Sequence, residues 1–347
     1  CLGPLCGRFP DHLGTDDDDD EEDDGAQKSA FSRMTYNKKN KKPKRPSSWR
    51  RRTKAKDQSM AGGSLMWAAY INRVNVNVSV RGQETTAQVL ELRVDGNKNI
   101  TDAMMRTVNQ QRDLHTIVIN RCGQEDLPSS LDELENLQKL EMAHNNIKAF
   151  SANLAKCKLL HTLVLEWNKI SGIQAGIFSK RAFGNLEVLV LNNNQLSRLP
   201  PDFGVMADNS RSLKHLDLSN NLLQAVPDSI TLCKNLVELD LSHNKISAIP
   251  DKFVMAKLQV LFLSFNELQK LPSSIGQCKD LEKIRMISNN IRQLPPSILS
   301  LWKGENKPGK LEELLVDRNP LEMPTITAFQ MDKNPIDRAF QLLKNPI

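Results

Sequence analysis

Five of the six histidines, His115, His144, His161, His215 and His243, fall in short segments that share one spacing pattern. Imidazole binds metals and moves protons near neutral pH, so this is where chemistry would first be sought. A shared metal, however, needs ligands that converge to about 2.1 Å from one ion. His144 and His243 lie four repeats apart, roughly 19 Å if each repeat adds one strand at ~4.8 Å. His115 and His161 are two repeats apart and have no carboxylate or cysteine pattern around them. No metal site is expected. The six cysteines, Cys1, Cys6, Cys122, Cys157, Cys233 and Cys278, form no CxxC or other metal-spaced group. Cys157, Cys233 and Cys278 recur in one equivalent slot, which reads as buried core filler. The chain contains no GxxxxGK[ST], no GxGxxG after a strand, no HExxH, no GxSxG and no kinase signature. A non-enzymatic protein without a cofactor is the expectation.

Composition narrows the class further. Of 347 residues, 39% are hydrophobic and only 5% aromatic, so leucine carries the apolar load. The formal net charge is +6, but residues 60–347 hold 33 of the 47 Lys and Arg and 30 of the 41 Asp and Glu. A net charge of about +3 over that span gives no argument for a nucleic-acid surface. Asp16 to Asp24 are nine consecutive acids, and Lys38 to Lys56 contain eleven Lys or Arg. Neither block can bury enough apolar surface to offset ordering entropy, so residues 1–59 are expected to be a disordered acidic-then-basic tail. The basic block is open to three readings: a nuclear import signal, an electrostatic tether to RNA or acidic lipid, or a solvated tail. The chain opens on Cys1, and Met60 is a candidate start. No apolar run reaches membrane-spanning length and the charged N-terminal region lacks a signal peptide, so a reducing, cytoplasmic compartment is expected, with the nucleus as the alternative through residues 38–56.

The elements that would position any site follow from an internal repeat. The segment LxxLxLxxN occurs ten times, starting at Val89, Leu114, Leu137, Leu160, Leu186, Leu213, Leu236, Leu258, Leu281 and Leu311. Most copies are 22 or 23 residues apart, and longer spacings follow Leu160, Leu186 and Leu281, the last holding a polar insertion from Trp302 to Lys310. The xLxL stretch is a short strand whose alternate leucines point into the core. The closing residues Asn97, Cys122, Asn145, Asn168, Asn194, Asn221, Asn244, Asn266, Asn289 and Asn319 should stack into a hydrogen-bonded ladder, with Cys122 a small buried donor in place of Asn. The second half of each unit reads xLxxLPxx, as in Leu199-Pro200 and Leu271-Pro272, where Pro directs the chain across the back of the repeat. One repeat cannot bury its own face, so stability comes from stacking.

Both ends of such a stack need covering. Val74, Val76, Val78 and Val80 alternate with Asn75, Asn77 and Ser79, which predicts a capping strand, with a short helix over Leu65 to Ile71. Asn334-Pro335 starts a predicted helix whose Ile336, Ala339, Phe340 and Leu343 would seal the last repeat. The expected organisation is a tail (1–59), an N-terminal cap (60–88), repeats (89–330) and a capping helix (331–347).

The pattern LxxLxLxxNxLxxLPxx resembles that of intracellular leucine-rich-repeat proteins of the Ras group, the Ras-suppressor and scribble-like type. The resemblance covers roughly residues 89–345. It implies an α/β solenoid, a curved horseshoe of about ten repeats with a parallel concave sheet. It also implies a scaffold or regulatory subunit in intracellular signalling, monomeric alone, whose concave face takes a protein partner such as a small GTPase, phosphatase or kinase. The alternative is a structural part of a cytoskeletal, ciliary or ribonucleoprotein assembly.

On that face, equivalent positions form columns. Trp167, Phe262 and Phe265 are the unusual occupants, because large aromatics on a solvated sheet commonly anchor partners. Trp167 beside Val164 and Val190 makes one expected patch, and Phe262 with Phe265 and His243 the other. Asp217 and Asp240 lie between them as an expected acidic attraction for a basic partner element.

Overall fold

A computed structural model describes residues 71–80, 83–97, 113–128, 131–178, 183–205, 213–304 and 307–322. The chain divides into Cys1–Thr53 and Lys54–Ile347, and every described residue belongs to the second unit. The expected tail and C-terminal helix lie outside the described residues, as does most of the expected 65–71 helix; Ile71 itself opens a strand.

One eleven-stranded sheet organises this unit. In chain order it contains β1 (Ile71–Val80), β2 (Gln83–Asp95), β3 (Leu114–Asn120), β4 (Lys139–Glu141), β5 (Thr162–Val164), β6 (Val188–Val190), β7 (His215–Asp217), β8 (Glu238–Asp240), β9 (Val260–Phe262), β10 (Lys283–Arg285) and β13 (Glu313–Leu315). Ten strands, β2 through β10 and β13, run parallel, one per repeat. Their register stacks Leu140, Leu163, Leu189, Leu216, Leu239, Leu261, Ile284 and Leu314 in one row. All of these are buried. Burial of such a side chain stabilises by roughly 1.5–3 kcal/mol, which becomes available only when the neighbouring repeat covers it. β1 pairs antiparallel with β2 and covers the first edge, as the valine alternation predicts. The capping hairpin and the first repeat share one continuous strand, because β2 runs through the expected boundary at residue 88.

The back of the repeats is made of short turns, six of which are 3-10 helices among the described residues; no α-helix occurs among them. The prolines of the LPxx half-repeat act as N-caps: Pro227, Pro272 and Pro295 precede the turns Asp228–Leu232, Ser273–Gln277 and Pro296–Leu301. Cys157, Cys233 and Cys278 are C-caps of their turns, each N–H bonding a carbonyl three residues back. They are buried free thiols, as their recurrence in one slot of the repeat predicts. Successive turns approach closely at Gly204, where an added Cβ would sit 1.6 Å from the Ser229 carbonyl oxygen. The longer repeats are filled by an aromatic cluster in which Phe178 touches Phe150, Phe183 and Phe203. The 302–310 insertion departs from its polar reading. Trp302 is buried in the core and bridges to Leu311, and β11 (Lys303–Gly304) pairs antiparallel with β12 (Lys307–Pro308) beyond it.

Candidate functional site

From Asn145 to Asn319 the asparagine ladder forms as the repeat predicts, and it ties each repeat to the one before. Asn168 Oδ1 accepts from the Ile147 N–H at 3.0 Å, while its Nδ2 donates to Met142 and Leu165 carbonyls. The same three-way bonding recurs at Asn194, Asn221, Asn244, Asn266, Asn289 and Asn319. Each amide therefore ties the preceding repeat to its own. Asn145 does the same for the second repeat, accepting from Cys122 and Gln124 N–H groups. The Cys122 thiol donates to the Asn120 carbonyl at 3.1 Å, and the backbone amides of Gly96 and Asn97 face its sulfur.

The middle column of the sheet face is not the open surface expected of it. Val164 and Val190 are buried, and Asp217 and Asp240 are 0% and 4% exposed. The reason is geometric. A short side chain there is flanked by the same column on both adjacent strands and by other columns on either side, and these longer or equal neighbours shield it. Asp217 Oδ1 accepts from the Ser219 N–H and hydroxyl, and Asp240 Oδ1 accepts from those of Ser242. The two carboxylates sit opposite each other in register. Burial raises the Asp240 carboxyl to about 7, and the charges of Asp217 and Glu238 push in the same direction against the Ser242 hydrogen bonds. Glu238 is likewise buried and lies 3.3 Å from His215 Nδ1. Phe262 is half-buried beneath the Arg285 guanidinium, 5.1 Å above its ring, and Arg285 pairs with Glu313.

The exposed aromatics occupy a different place. Trp167 and Phe265 follow their strands by three residues, at the position just before the ladder asparagine. In the repeats from Leu114 onward this position has positive φ: Arg121, His144, Trp167, Asn193, Asn220, His243, Phe265, Ser288 and Arg318 all lie between 53° and 57°. The left-handed backbone turns these side chains out of the sheet plane into a rim along the strand exits. Trp167 is 52% and Phe265 41% exposed. Each is stacked on the histidine one repeat earlier: His144 on Trp167 at 5.3 Å and 10° between planes, His243 on Phe265 at 4.2 Å and 16°. Burial, with the charge of Arg121 in the first case, lowers the pKa of His144 and of His243, so both stacks join neutral rings at neutral pH. Each stack is followed by a smaller polar residue, Asn193 or Ser288, which leaves the far ring face beside a shorter neighbour. The backbone carries the rim: the Trp167 N–H donates to the Asn192 carbonyl, and that of Phe265 to Ile287.

Of the residues singled out in the sequence, the structure brings His243 and Phe265 together and places Trp167 with His144. It separates them from the buried Val164, Val190, Asp217 and Asp240. The histidines do not converge: among the described residues there is no group of three or more His, Cys, Asp or Glu that could hold a metal ion. Nor is any described helix long and apolar enough to cross a membrane. Sequence reasoning missed the left-handed rim. Its signal was present in Asn193 and Asn220, since asparagine is enriched at such backbone positions.

A stack of parallel-strand repeats, tied by an asparagine ladder and closed on its back by 3-10 turns, defines the class. The leucine rich repeat family matches residues 158–223, 184–246, 211–268 and 234–291. Residues 158–291 thus match that family's model, and the fold is that of a leucine-rich-repeat solenoid. The chain is 30% identical over 177 residues, half of its length, to the probable serine/threonine-protein kinase pats1 of Dictyostelium discoideum, and spans 6% of that protein. It is 28% identical over 102 residues to Tsukushi of Mus musculus, 29% of each chain. Among solved structures, a leucine-rich-repeat protein of Leptospira interrogans aligns with a TM-score of 0.56 at 25% identity, covering 68% of this chain and 63% of that one.

Proposed function

We propose that this chain is a non-enzymatic protein-binding module, a scaffold or regulatory subunit in signalling, which engages its partner along the strand-exit rim. The observation that carries this reading is the matched pair of exposed aromatics. Trp167 and Phe265 expose about half their surface, and both are pre-positioned by a left-handed backbone and a histidine stack. Rigid, exposed aromatic rings lose little entropy on contact and commonly dominate interfaces. They lie four strands apart, so the partner must present two anchors about 19 Å apart. Partners of small GTPase, phosphatase or kinase type fit the family resemblance. The four buried free thiols support a reducing, cytoplasmic setting.

The test is affinity purification from cell extract with the wild-type chain and the Trp167→Ala/Phe265→Ala double variant. The reading expects a partner recovered with the first and lost with the second, at an unchanged unfolding midpoint. Equal recovery refutes it.

A further inference from the structure

We propose that the surface formed by Glu166, Asn192 and Trp167 receives a basic side chain, lysine or arginine, from the bound partner. This rests on the reading of the rim as the binding surface and names the chemistry of the partner there. Glu166 is half-buried and accepts a hydrogen bond from the Asn192 side chain. Asn192 is only 4% exposed, and its side-chain oxygen has no hydrogen-bond partner among the described residues. Acceptor oxygens are thus gathered here without a matching supply of donors.

The nearby charges do not make up the deficit. Lys139 is engaged by Glu141 at 2.9 Å, and the Asn120 amide also donates to Glu141, at 2.7 Å. Arg121 acts on Glu166 from a distance but pairs with Asp95 at 3.4 Å. Across β4 to β8, the face carries Glu141, Glu166, Asp217, Glu238 and Asp240 against Lys139 and the imidazole of His215. An ammonium or guanidinium brings three to five N–H donors and the missing positive charge. The Trp167 ring, stacked on a neutral imidazole on one side, offers an indole surface that attracts a cation. The molecule supplies this combination from its own residues further along, where Arg285 lies over Phe262 and pairs with Glu313. At Trp167 the aromatic ring and the carboxylate are present, and the partner would supply the cation.

The experiment uses the full chain and a fluorescein-labelled peptide of four Arg-Gly repeats, followed by anisotropy at moderate salt. Glu166→Gln should weaken binding about tenfold, the scale of one partly buried charge-assisted contact. Trp167→Leu should weaken it by a similar factor. The acidic run Asp16 to Asp24 is identical in all variants. Equal affinity of wild type and Glu166→Gln therefore means that the peptide binds elsewhere, and overturns the inference. If Glu166→Gln lowers the unfolding midpoint, the exposed Trp167→Leu variant decides the matter: weaker binding supports the inference, and unchanged binding overturns it. Loss of the cellular partner from the Trp167/Phe265 double variant, together with unchanged peptide affinity in Glu166→Gln, leaves the binding rim standing and removes the cation assignment.

Discussion

Replacing Asn221 by alanine tests what holds one repeat to the next. Its Oδ1 accepts from the Leu196 N–H at 2.9 Å, and its Nδ2 donates to the Leu191 and Leu218 carbonyls at 3.0 Å each. Leu196 and Leu191 belong to the preceding repeat, and both are fully buried. The substitution removes these bonds and a weaker one to the Ser219 carbonyl, and it orphans one buried donor, the Leu196 N–H; the Leu191 and Leu218 carbonyls keep bonds from Asn194 and Asn244. A neutral hydrogen bond nets about 1 kcal/mol, and an orphaned buried partner costs about 1–3 kcal/mol. The expected loss is about 3–5 kcal/mol, a large part of the 5–15 kcal/mol typical of a folded domain. Equilibrium urea unfolding by circular dichroism measures it, with Asn319→Ala as comparison. Asn319 is a half-buried rung of the last repeat, so its loss should cost about 1–2 kcal/mol. Asn221→Cys should fall between the two extremes, because the Cys122 thiol fills the same rung by donating to a carbonyl. A loss below about 1 kcal/mol for Asn221→Ala, or one equal to that of Asn319→Ala, would refute the ladder as the tie between repeats.

Other outcomes follow from the same structure. Asp240 has a folded pKa of about 7, above its ordinary unfolded value. The folded state therefore takes up protons first, and stability from this group is full below about pH 4, then lost as pH rises through about 7. Asp240→Asn should flatten that slope and stabilise the fold at pH 8 by at most about 4 kcal/mol; an unchanged urea midpoint across pH 5–8 in both proteins would contradict this. Gly204→Ala would drive a Cβ into the Ser229 carbonyl. It should cost about 3 kcal/mol or more, read as a drop in melting temperature. Burial raises the thiol pKa of Cys122 and Cys278 and pushes that of Cys233 up to about 12. These thiols should resist a thiol-specific reagent until denaturant is added, and rapid labelling of Cys233 in the native state would contradict its burial.

The fold was legible because its signal is periodic. Leucines at fixed offsets have one way to be buried together, and the asparagine at the end of each unit has one set of carbonyls within reach. The site was legible only in part. Trp167 and Phe265 stand out by residue type, and both are exposed. Asp217 and Asp240 read as surface charges because strand alternation assigns them to the outer face. Alternation does not record that a short side chain in the middle of a closely spaced sheet is shielded by its neighbours. The histidine stacks were also hidden, since His144 and Trp167 are 23 positions apart and meet only through the left-handed rim. The phenylalanine cluster of the longer repeats escaped for the same reason: Phe150 and Phe178 lie 28 positions apart.

The central claim is that binding energy is concentrated in the rim aromatics. It is tested most directly by the affinity of an identified partner, measured by calorimetry for the wild-type chain and for Trp167→Ala/Phe265→Ala. Hot-spot aromatics cost about 2 kcal/mol or more each when truncated, so the account predicts at least about a hundredfold loss at an unchanged unfolding midpoint. Affinity within about threefold of wild type would contradict it.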